Sequence, residues 1–121
     1  MAKVFLDTNF FIDLIERRRN IKIEALKGNY LYISALSIPI YCYVYKIEPP
    51  DKKLTAFLKF FNIIELNKII LEKALEGPTK DLEDNIQLHS AVEKDCDFFL
   101  TLDKKLLSLK YFGKMKIAEN L

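Results

Sequence analysis

Short apolar runs alternate with amphipathic segments along this chain, and this alternation restricts the possible folds most strongly. The first run, at positions 4–6, is apolar throughout and stops at Asp7, as in a strand buried on both faces. Further strands are predicted at 31–34, 62–66, 97–101 and 116–118. After a first helix that begins near Thr8, helices are predicted at 21–27, from about 37, at 52–61, 68–76 and 81–95. Because parallel strands need crossover helices, the pattern predicts an α/β fold, a three-layer α/β/α sandwich around a mostly parallel sheet.

Local signals set the ends of several predicted helices. Thr8 or Asn9 is a suitable N-cap for the first helix, and the arginines at 17–19 fall in its last turn, where the helix dipole favours cations. Pro39 suits a first helical turn, and Gly77-Pro78 ends the helix over 68–76.

The helix predicted over 81–95 precedes the fourth strand. Its apolar spacing predicts that Leu82, Ile86 and Val92 point toward the core. Asp103, two residues after that strand, is expected to open a short helical turn.

Composition limits the class of protein. The chain has 121 residues, 50% of them hydrophobic, which predicts one compact domain over 1–121. A net charge of +2 is too small to indicate nucleic-acid binding by itself. Cys42 and Cys96 form no CxxC pair, so neither a disulfide scaffold nor a zinc site is predicted, and a reduced, cytoplasmic setting is expected. The apolar run before Asp7 is too short for a signal peptide, and no membrane span is predicted.

Three aspartates lie near what would be one edge of the sheet. Asp7 ends the first strand, Asp103 follows the fourth, and Asp84 lies in the first turn of the helix before it. Ligands of open α/β sheets bind beyond the carboxyl ends of the strands. Carboxylates gathered there repel one another unless a hard cation such as Mg²⁺ or Mn²⁺ lies between them, and such an ion supports phosphodiester hydrolysis. Each aspartate could instead be a helix cap or a partner of a helix dipole, and spacing alone leaves both interpretations open.

Three sequence blocks form a recognisable pattern. They are LDTNFFID at 6–13, ISALS at 33–37, and the segment that runs from DLEDNIQ at 81–87 to FLTLD at 99–103. In this order they resemble the PIN-domain family over almost the whole chain, and a small chain of this kind is similar to the VapC-type toxins. The resemblance implies a metal-dependent ribonuclease that a cognate antitoxin protein neutralises and that often pairs as a homodimer.

The resemblance also implies roles for individual residues. Asp7, Asp84 and Asp103 match the family's metal-binding acids. Polar residues around them match positions that surround the metal and orient its waters or that end the second strand; these are Thr8, Asn9, Thr101 and Ser34.

One acid of the family pattern is missing. Six residues after Ser34, where active nucleases usually carry a glutamate, this chain has Ile40, and no acid occurs from 31 to 46. A subgroup of similar sequences shares this feature and has a tyrosine-rich helix, which Tyr41, Tyr43 and Tyr45 resemble.

Other side chains near the acids have two interpretations. Asp81, one helical turn before Asp84, could be a replacement ligand or simply an acid at a helix N-terminus, which we favour. Asp13 is expected to face solvent rather than the rim of the site. His89 lies about 140° around the helix from Asp84 and is therefore expected to have a structural or surface role.

Basic residues supply candidate RNA contacts. Lys104 and Lys105 directly follow Asp103, which a phosphate must approach. Arg17 and Arg18, with Arg19 and Lys22, could contact RNA or form a solvated helix end.

The sequence thus favours a Mg²⁺- or Mn²⁺-dependent endoribonuclease. The partners implied are RNA, an antitoxin protein and a second copy of the chain. The alternative is a PIN-like module that binds RNA or protein and has lost turnover together with the glutamate.

Overall fold

The computed structural model describes residues 1–18 and 23–121. The described strands are β1 (Lys3–Leu6), β2 (Tyr30–Ser34), β3 (Asn62–Ile64), β4 (Phe98–Leu100), β5 (Tyr111–Phe112) and β6 (Met115–Ala118). The described helices are α1 (Thr8–Ile15), α2 (Ser37–Val44), α3 (Lys52–Leu58), α4 (Lys68–Glu76), α5 (Leu82–Glu93) and α6 (Lys104–Leu107), with a 3₁₀ helix over Ile23–Leu26. None of the described helices is long and apolar enough to cross a membrane.

The strands form one sheet in the order β3-β2-β1-β4-β6-β5, and all pairs are parallel except β5 with β6. Leu6 at the end of β1 lies opposite Leu100 at the end of β4. The next amide, that of Asp7, donates a 3.0 Å hydrogen bond to the Leu100 carbonyl. The chain therefore leaves these two central strands side by side, at an edge that we call the carboxyl edge.

Helices cover both faces of the sheet. Side chains of a strand point alternately to opposite faces, and Val4 and Leu6 pack with residues of α1, α2 and α3, whereas Phe5 packs with α4, α5 and α6. Phe5 stacks on Phe99 of the neighbouring strand with ring centroids 5.1 Å apart. The predicted three-layer α/β/α sandwich with a mostly parallel sheet is confirmed.

Most predicted elements are present, with differences at their ends. The helix over 68–76 has the predicted bounds, and α2 begins at Ser37 with Pro39 in its first turn. The strands predicted at 62–66 and 97–101 are shorter, over Asn62–Ile64 and Phe98–Leu100. The helix predicted over 52–61 ends at Leu58. The first part of the helix predicted over 21–27 lies outside the described residues, and its second part is the 3₁₀ helix.

Both ends of the first helix differ from the prediction. The N-cap of α1 is Asp7, not Thr8 or Asn9, since a carboxylate oxygen of Asp7 accepts the amide hydrogen of Phe10 over 2.7 Å. α1 ends at Ile15, and Arg17 adopts the left-handed region at φ 56°, so Arg17 and Arg18 follow the helix instead of lying in its last turn. Arg19 and Lys22 lie outside the described residues.

The buried face of α5 is more polar than its apolar spacing predicts. Ile86 is buried as expected, but Leu82 and Val92 are 45% and 39% exposed. The buried polar side chains on this helix are Asn85, Gln87 and Ser90. Each has hydrogen-bond partners within the protein, which removes the penalty for burying a polar group. Hydrophobic periodicity cannot detect such a face, because it records apolar positions and not the hydrogen bonds that satisfy buried polar side chains.

Candidate active site

Asp7 is the most buried acid at the carboxyl edge. It is 5% exposed, and its two oxygens accept hydrogen bonds from the Phe10 amide and from the Thr101 hydroxyl. Burial raises the pKa of this carboxyl from 3.8 to about 6, against the lowering effect of both hydrogen bonds, and the charges of Asp103 and Asp13 raise it further. The fold thus holds a desolvated carboxylate at the end of its central strand.

Thr101 connects Asp7 to a second aspartate. Its buried hydroxyl donates to Asp7 and accepts the amide hydrogen of Asp103 over 3.0 Å. Asp103 is exposed and caps α6, where its carboxylate accepts the amide hydrogens of Lys105 and Leu106. The predicted helical turn at Asp103 is therefore present, and Thr101 lies between the two acids.

Asp84 belongs to the same electrostatic cluster. It is half-buried in the first turn of α5, and its pKa is raised to about 6 by burial and then by the charges of Asp81, Asp103 and Asp7. Asp81 is exposed and is the N-cap of α5, since it accepts the Asp84 amide hydrogen over 2.9 Å. This contact matches the helix-terminus interpretation of Asp81.

The acids at the carboxyl edge offer only oxygen ligands to a cation. Among the described residues, no three His, Cys, Asp or Glu side chains are placed so that they could hold a metal ion directly. The donors that repel one another here are all carboxylate oxygens, which suits a hard cation. An ion of this kind keeps several waters and often uses only one or two carboxylates. The donor set therefore fits a hydrated hard cation.

Thr8, Asn9 and Ser34, the other polar residues predicted for the site, each lie in a different environment. Thr8 is buried; its amide donates to Gln87 over 2.7 Å, and its hydroxyl lies 2.9 Å from that of Ser37. Asn9 is exposed and lines the cavity described below. The hydroxyl of Ser34 accepts the Leu36 amide hydrogen in the turn before α2, so its described contact stabilises that turn.

Glu83 is an acid near the site that the sequence analysis did not select. It is half-buried, and its carboxylate accepts a hydrogen bond from the Thr8 side chain. Burial and the charge of Asp81 raise its pKa, and the bond from Thr8 lowers it. Glu83 and Gln87 are four residues apart and both contact Thr8. The sequence shows that Glu83 and Gln87 share one face of the helix. It does not show that this face points toward Thr8, because that depends on how α5 packs against α1.

A cavity of about 420 Å³ opens beside Asp7 and Asp103. Its lining consists of Asp7, Asn9, Ile12, Asp13, Arg18, Ile40, Val44, Tyr45, Leu102 and Asp103. Asp13 therefore contributes to the rim of the site, and the expectation that it faces solvent is wrong. Ile40, at the position of the missing glutamate, forms part of the apolar wall.

The basic residues divide into two locations. Lys104 and Lys105 are exposed in the first turn of α6, directly after Asp103. Arg18 lines the cavity, and its guanidinium carbon lies 5.3 Å from the ring centroid of Tyr45. Arg17 is exposed and is not among the cavity-lining residues.

His89 and the cysteines lie apart from the acids. The Nε2 atom of His89 is 2.9 Å from the Gly77 carbonyl, and its ring meets that of Phe112 edge to face, as expected of a structural histidine. Cys96 is buried, and burial raises the pKa of its thiol to about 12. Cys42 and Cys96 are both free cysteines.

The chain is similar to several proteins of known family. The profile of the PIN domain matches residues 4–110. Ribonuclease VapC1 of Aquifex aeolicus (strain VF5) is 31% identical over 123 aligned positions, covering 88% of this chain and 85% of that protein. VapBC2 from Rickettsia felis, in a crystal structure bound to a DNA fragment from the promoter, superposes with a TM-score of 0.66 and 17% identity, covering 95% of this chain and 96% of that chain. The likeness to VapBC2 supports the fold, and the PIN domain profile and the identity to Ribonuclease VapC1 show that this chain belongs to the PIN domain family and is a homologue of a VapC ribonuclease.

Proposed function

We propose that this protein is a VapC-type endoribonuclease that hydrolyses RNA phosphodiester bonds with the help of Mg²⁺ or Mn²⁺. The observation that carries the proposal is the buried carboxylate of Asp7, whose pKa is raised in part by the charge of Asp103 and whose own charge helps to raise the pKa of Asp84. The relationship to a VapC ribonuclease supports the same reaction class.

Asp7, Asp84 and Asp103 would hold a hydrated ion, one or two of them by direct contact and the others through its water molecules. A bound cation would supply charge stabilisation for the phosphoryl oxygens and would activate a water molecule. Thr101 fixes the relative position of Asp7 and Asp103 by bonding to both. Thr8 fixes the start of α1 through its contacts with Gln87 and Ser37, and Asn9 is exposed to solvent beside Asp7.

Lys104 and Lys105 would bind the RNA backbone. Both are exposed in the turn that Asp103 caps, so their ammonium groups can meet phosphates that approach this acid. Asp81 would add negative charge near Asp84 without binding the ion directly, because it is exposed and caps α5. Arg17 and Arg18 would extend the basic surface beyond the other side of the acids.

We also propose the partners of this function. They are single-stranded RNA, an antitoxin-type protein, as suggested by the likeness to VapBC2, and a second copy of the chain in a homodimer. The whole sequence, 1–121, would act as one PIN-like domain in the cytoplasm.

The test combines RNA cleavage with metal binding. Asp7→Asn should abolish Mn²⁺-stimulated cleavage of single-stranded RNA and weaken Mn²⁺ binding measured by calorimetry, while the circular dichroism spectrum stays unchanged. Asp95→Asn is the matched control, because Asp95 is exposed near the opposite end of β4 and lies at φ 55°, which asparagine tolerates. Equal cleavage by wild type and Asp7→Asn would refute the assignment.

One observation favours a second candidate, a non-catalytic RNA- or protein-binding module. Ile40 presents an apolar side chain to the cavity at the position where active relatives usually have glutamate. The module predicts RNA binding without cleavage and no Mn²⁺ uptake at millimolar concentration. Calorimetric Mn²⁺ binding that depends on Asp7 would exclude it.

A further inference from the structure

The lining of the cavity beside the acids is chemically mixed. Asp7 and Asp103 line the 420 Å³ space together with Arg18 and Tyr45. A cavity of this size falls in the range of small-molecule sites. It is therefore large enough to hold a group that is attached to the phosphate at the acids.

Part of the cavity lining is apolar. Ile40 and Val44 are four residues apart on α2 and both line the cavity, and Leu102 contributes from the segment between β4 and α6. Val44 is 59% exposed although it belongs to this wall. Such a surface offers no ligand to a cation or a phosphate, but it suits the flat, weakly polar face of a nucleobase.

Tyr45 and Arg18 form a positioned aromatic–cation pair. The Tyr45 ring packs against the Tyr41 ring at a centroid distance of 5.2 Å, and Tyr41 is buried in the core. The amide of Arg18 donates a 2.8 Å hydrogen bond to the Asp13 carbonyl, which fixes the backbone below the guanidinium. The guanidinium lies over the Tyr45 ring, so a cation lies near the aromatic surface of the cavity.

We propose that this cavity binds the unpaired base of the nucleotide next to the scissile phosphate, and that Arg18 binds the adjoining phosphate. The proposal rests on the proposed ribonuclease function and adds the site that selects single-stranded RNA. A paired base is stacked inside its helix and cannot enter such a cavity, whereas a base in a single strand can turn outward. Tyr45, Ile40 and Val44 supply contact area for the base, and Arg18 supplies the opposite charge for the backbone.

Binding of a short RNA tests this assignment. The probe is a fluorescein-labelled single-stranded RNA octamer of mixed sequence, followed by anisotropy with the full chain in Ca²⁺, with gel analysis to confirm that the probe stays intact. Tyr45→Leu and Arg18→Gln should each weaken binding by roughly tenfold, the order of effect known for the loss of one stacked base. Tyr43→Leu is the matched aromatic control, because Tyr43 is 86% exposed and does not line the cavity. Lys27→Gln is the cationic control, since Lys27 is exposed before the amino end of β2.

An abasic octamer with the same sugar–phosphate backbone separates the two contacts. Against this probe, Tyr45→Leu should bind as well as wild type, whereas Arg18→Gln should still bind more weakly. Tyr45→Phe keeps the ring and its packing, so it should bind the normal octamer as wild type does even where Tyr45→Leu folds poorly.

Four results would overturn the proposal. If Tyr45→Leu and Tyr43→Leu lower the RNA affinity equally, Tyr45 makes no specific contact with the nucleobase. If Tyr45→Leu changes the mass in light scattering but not the RNA affinity, the cavity wall is an interface between copies of the chain. If folded wild type binds no RNA, the proposed function fails as well, whereas Tyr45-independent binding with Asp7-dependent cleavage defeats only this inference.

Discussion

Asp7 has two roles with opposite effects on stability. Its carboxylate caps α1, but burial raises its pKa from 3.8 to about 6. Between these values the folded chain holds a proton that the unfolded chain has released, so this group makes the fold less stable as the pH rises through that range. Asp7→Asn keeps a good N-cap and removes the charge. In EDTA at neutral pH we expect the variant to be about 1–3 kcal/mol more stable than wild type in urea unfolding.

Asp95→Asn is the control for this gain, because an exposed carboxylate has no comparable burial penalty. Its free energy of unfolding should change by less than about 0.5 kcal/mol. The gain from Asp7→Asn should also shrink as the pH falls from about 6 to about 4, because below this range the carboxyl is protonated in both the folded and the unfolded chain. A loss of stability for Asp7→Asn in EDTA would contradict the proposed penalty.

Thr101 is expected to matter through its hydroxyl rather than its size. The group donates to Asp7 and accepts from the Asp103 amide in a fully buried position. Thr101→Val keeps the shape but leaves both partners without this contact, so the free energy of unfolding should fall by about 2 kcal/mol, measured by urea unfolding. The matched change Thr55→Val removes an exposed hydroxyl bond to the Asp51 carbonyl and should lower stability by less than about 0.5 kcal/mol. Equal losses for the two variants would argue against a special role for Thr101.

At the residue scale, the sequence predicts at which edge of the sheet a side chain lies better than it predicts which other side chains it contacts. Asp7 and Asp103 could be placed at one edge because parallel strands end at the same edge of a sheet. The bond from Thr8 to Glu83 and the position of Asp13 at the cavity could not be predicted, because both depend on the rotation of helices about their axes. The acid roles themselves stay predictions until metal binding is measured.

At the scale of elements, α5 buries several polar side chains and leaves apolar ones partly exposed. Asn85 is buried, accepts the amide and hydroxyl hydrogens of Thr79 over 2.9 and 2.6 Å, and donates to the Ala74 carbonyl over 2.9 Å. Asn85→Ala should therefore lower the free energy of unfolding by about 2–4 kcal/mol, because several buried partners lose their bonds together. Leu82→Ala, at a 45% exposed position on the same helix, should lower it by less than about 1 kcal/mol.

Urea unfolding of the two variants checks this order. Reading the helix from its apolar spacing alone predicts the reverse, with Leu82→Ala as the harmful change. A larger loss for Leu82→Ala would mean that the apolar side of α5 contributes more to the core than its exposure indicates.

The bounds of a helix or strand can be predicted from the local sequence where its capping and terminating residues are clear. α4 has the predicted bounds because Asn67 caps its start and Gly77, at φ 135°, ends it. β5 escaped prediction because two residues cannot display a period, and its pairing with β6 is set by the turn at Gly113, at φ 61°. Short strands and single helical turns depend on neighbours that only the fold supplies.

At the scale of the whole molecule, a net charge of +2 hides an uneven distribution. The carboxyl edge gathers Asp7, Asp84 and Asp103, where the charge of Asp103 raises the pKa of both Asp7 and Asp84, while Lys104 and Lys105 lie directly beside it. Repulsion among the acids opposes folding, and a cation bound there would remove that opposition. Metal binding at the proposed site should therefore be visible in the stability of the entire chain.

A ligand that binds only the folded state stabilises it by mass action, by about 2.7 kcal/mol at a hundredfold excess over the dissociation constant. We therefore expect the melting temperature of wild type to rise by several degrees when EDTA is replaced with saturating Mn²⁺ at matched ionic strength. Asp7→Asn should have a higher melting temperature than wild type in EDTA and gain little from Mn²⁺. Adding the metal should therefore narrow or reverse the difference in melting temperature between the two proteins. Asp95→Asn should respond as wild type does, because its carboxylate lies outside the cluster. A wild-type melting temperature that is the same in EDTA and in Mn²⁺ would show that the three aspartates bind no ion, since no affinity for the folded state can exist without this shift.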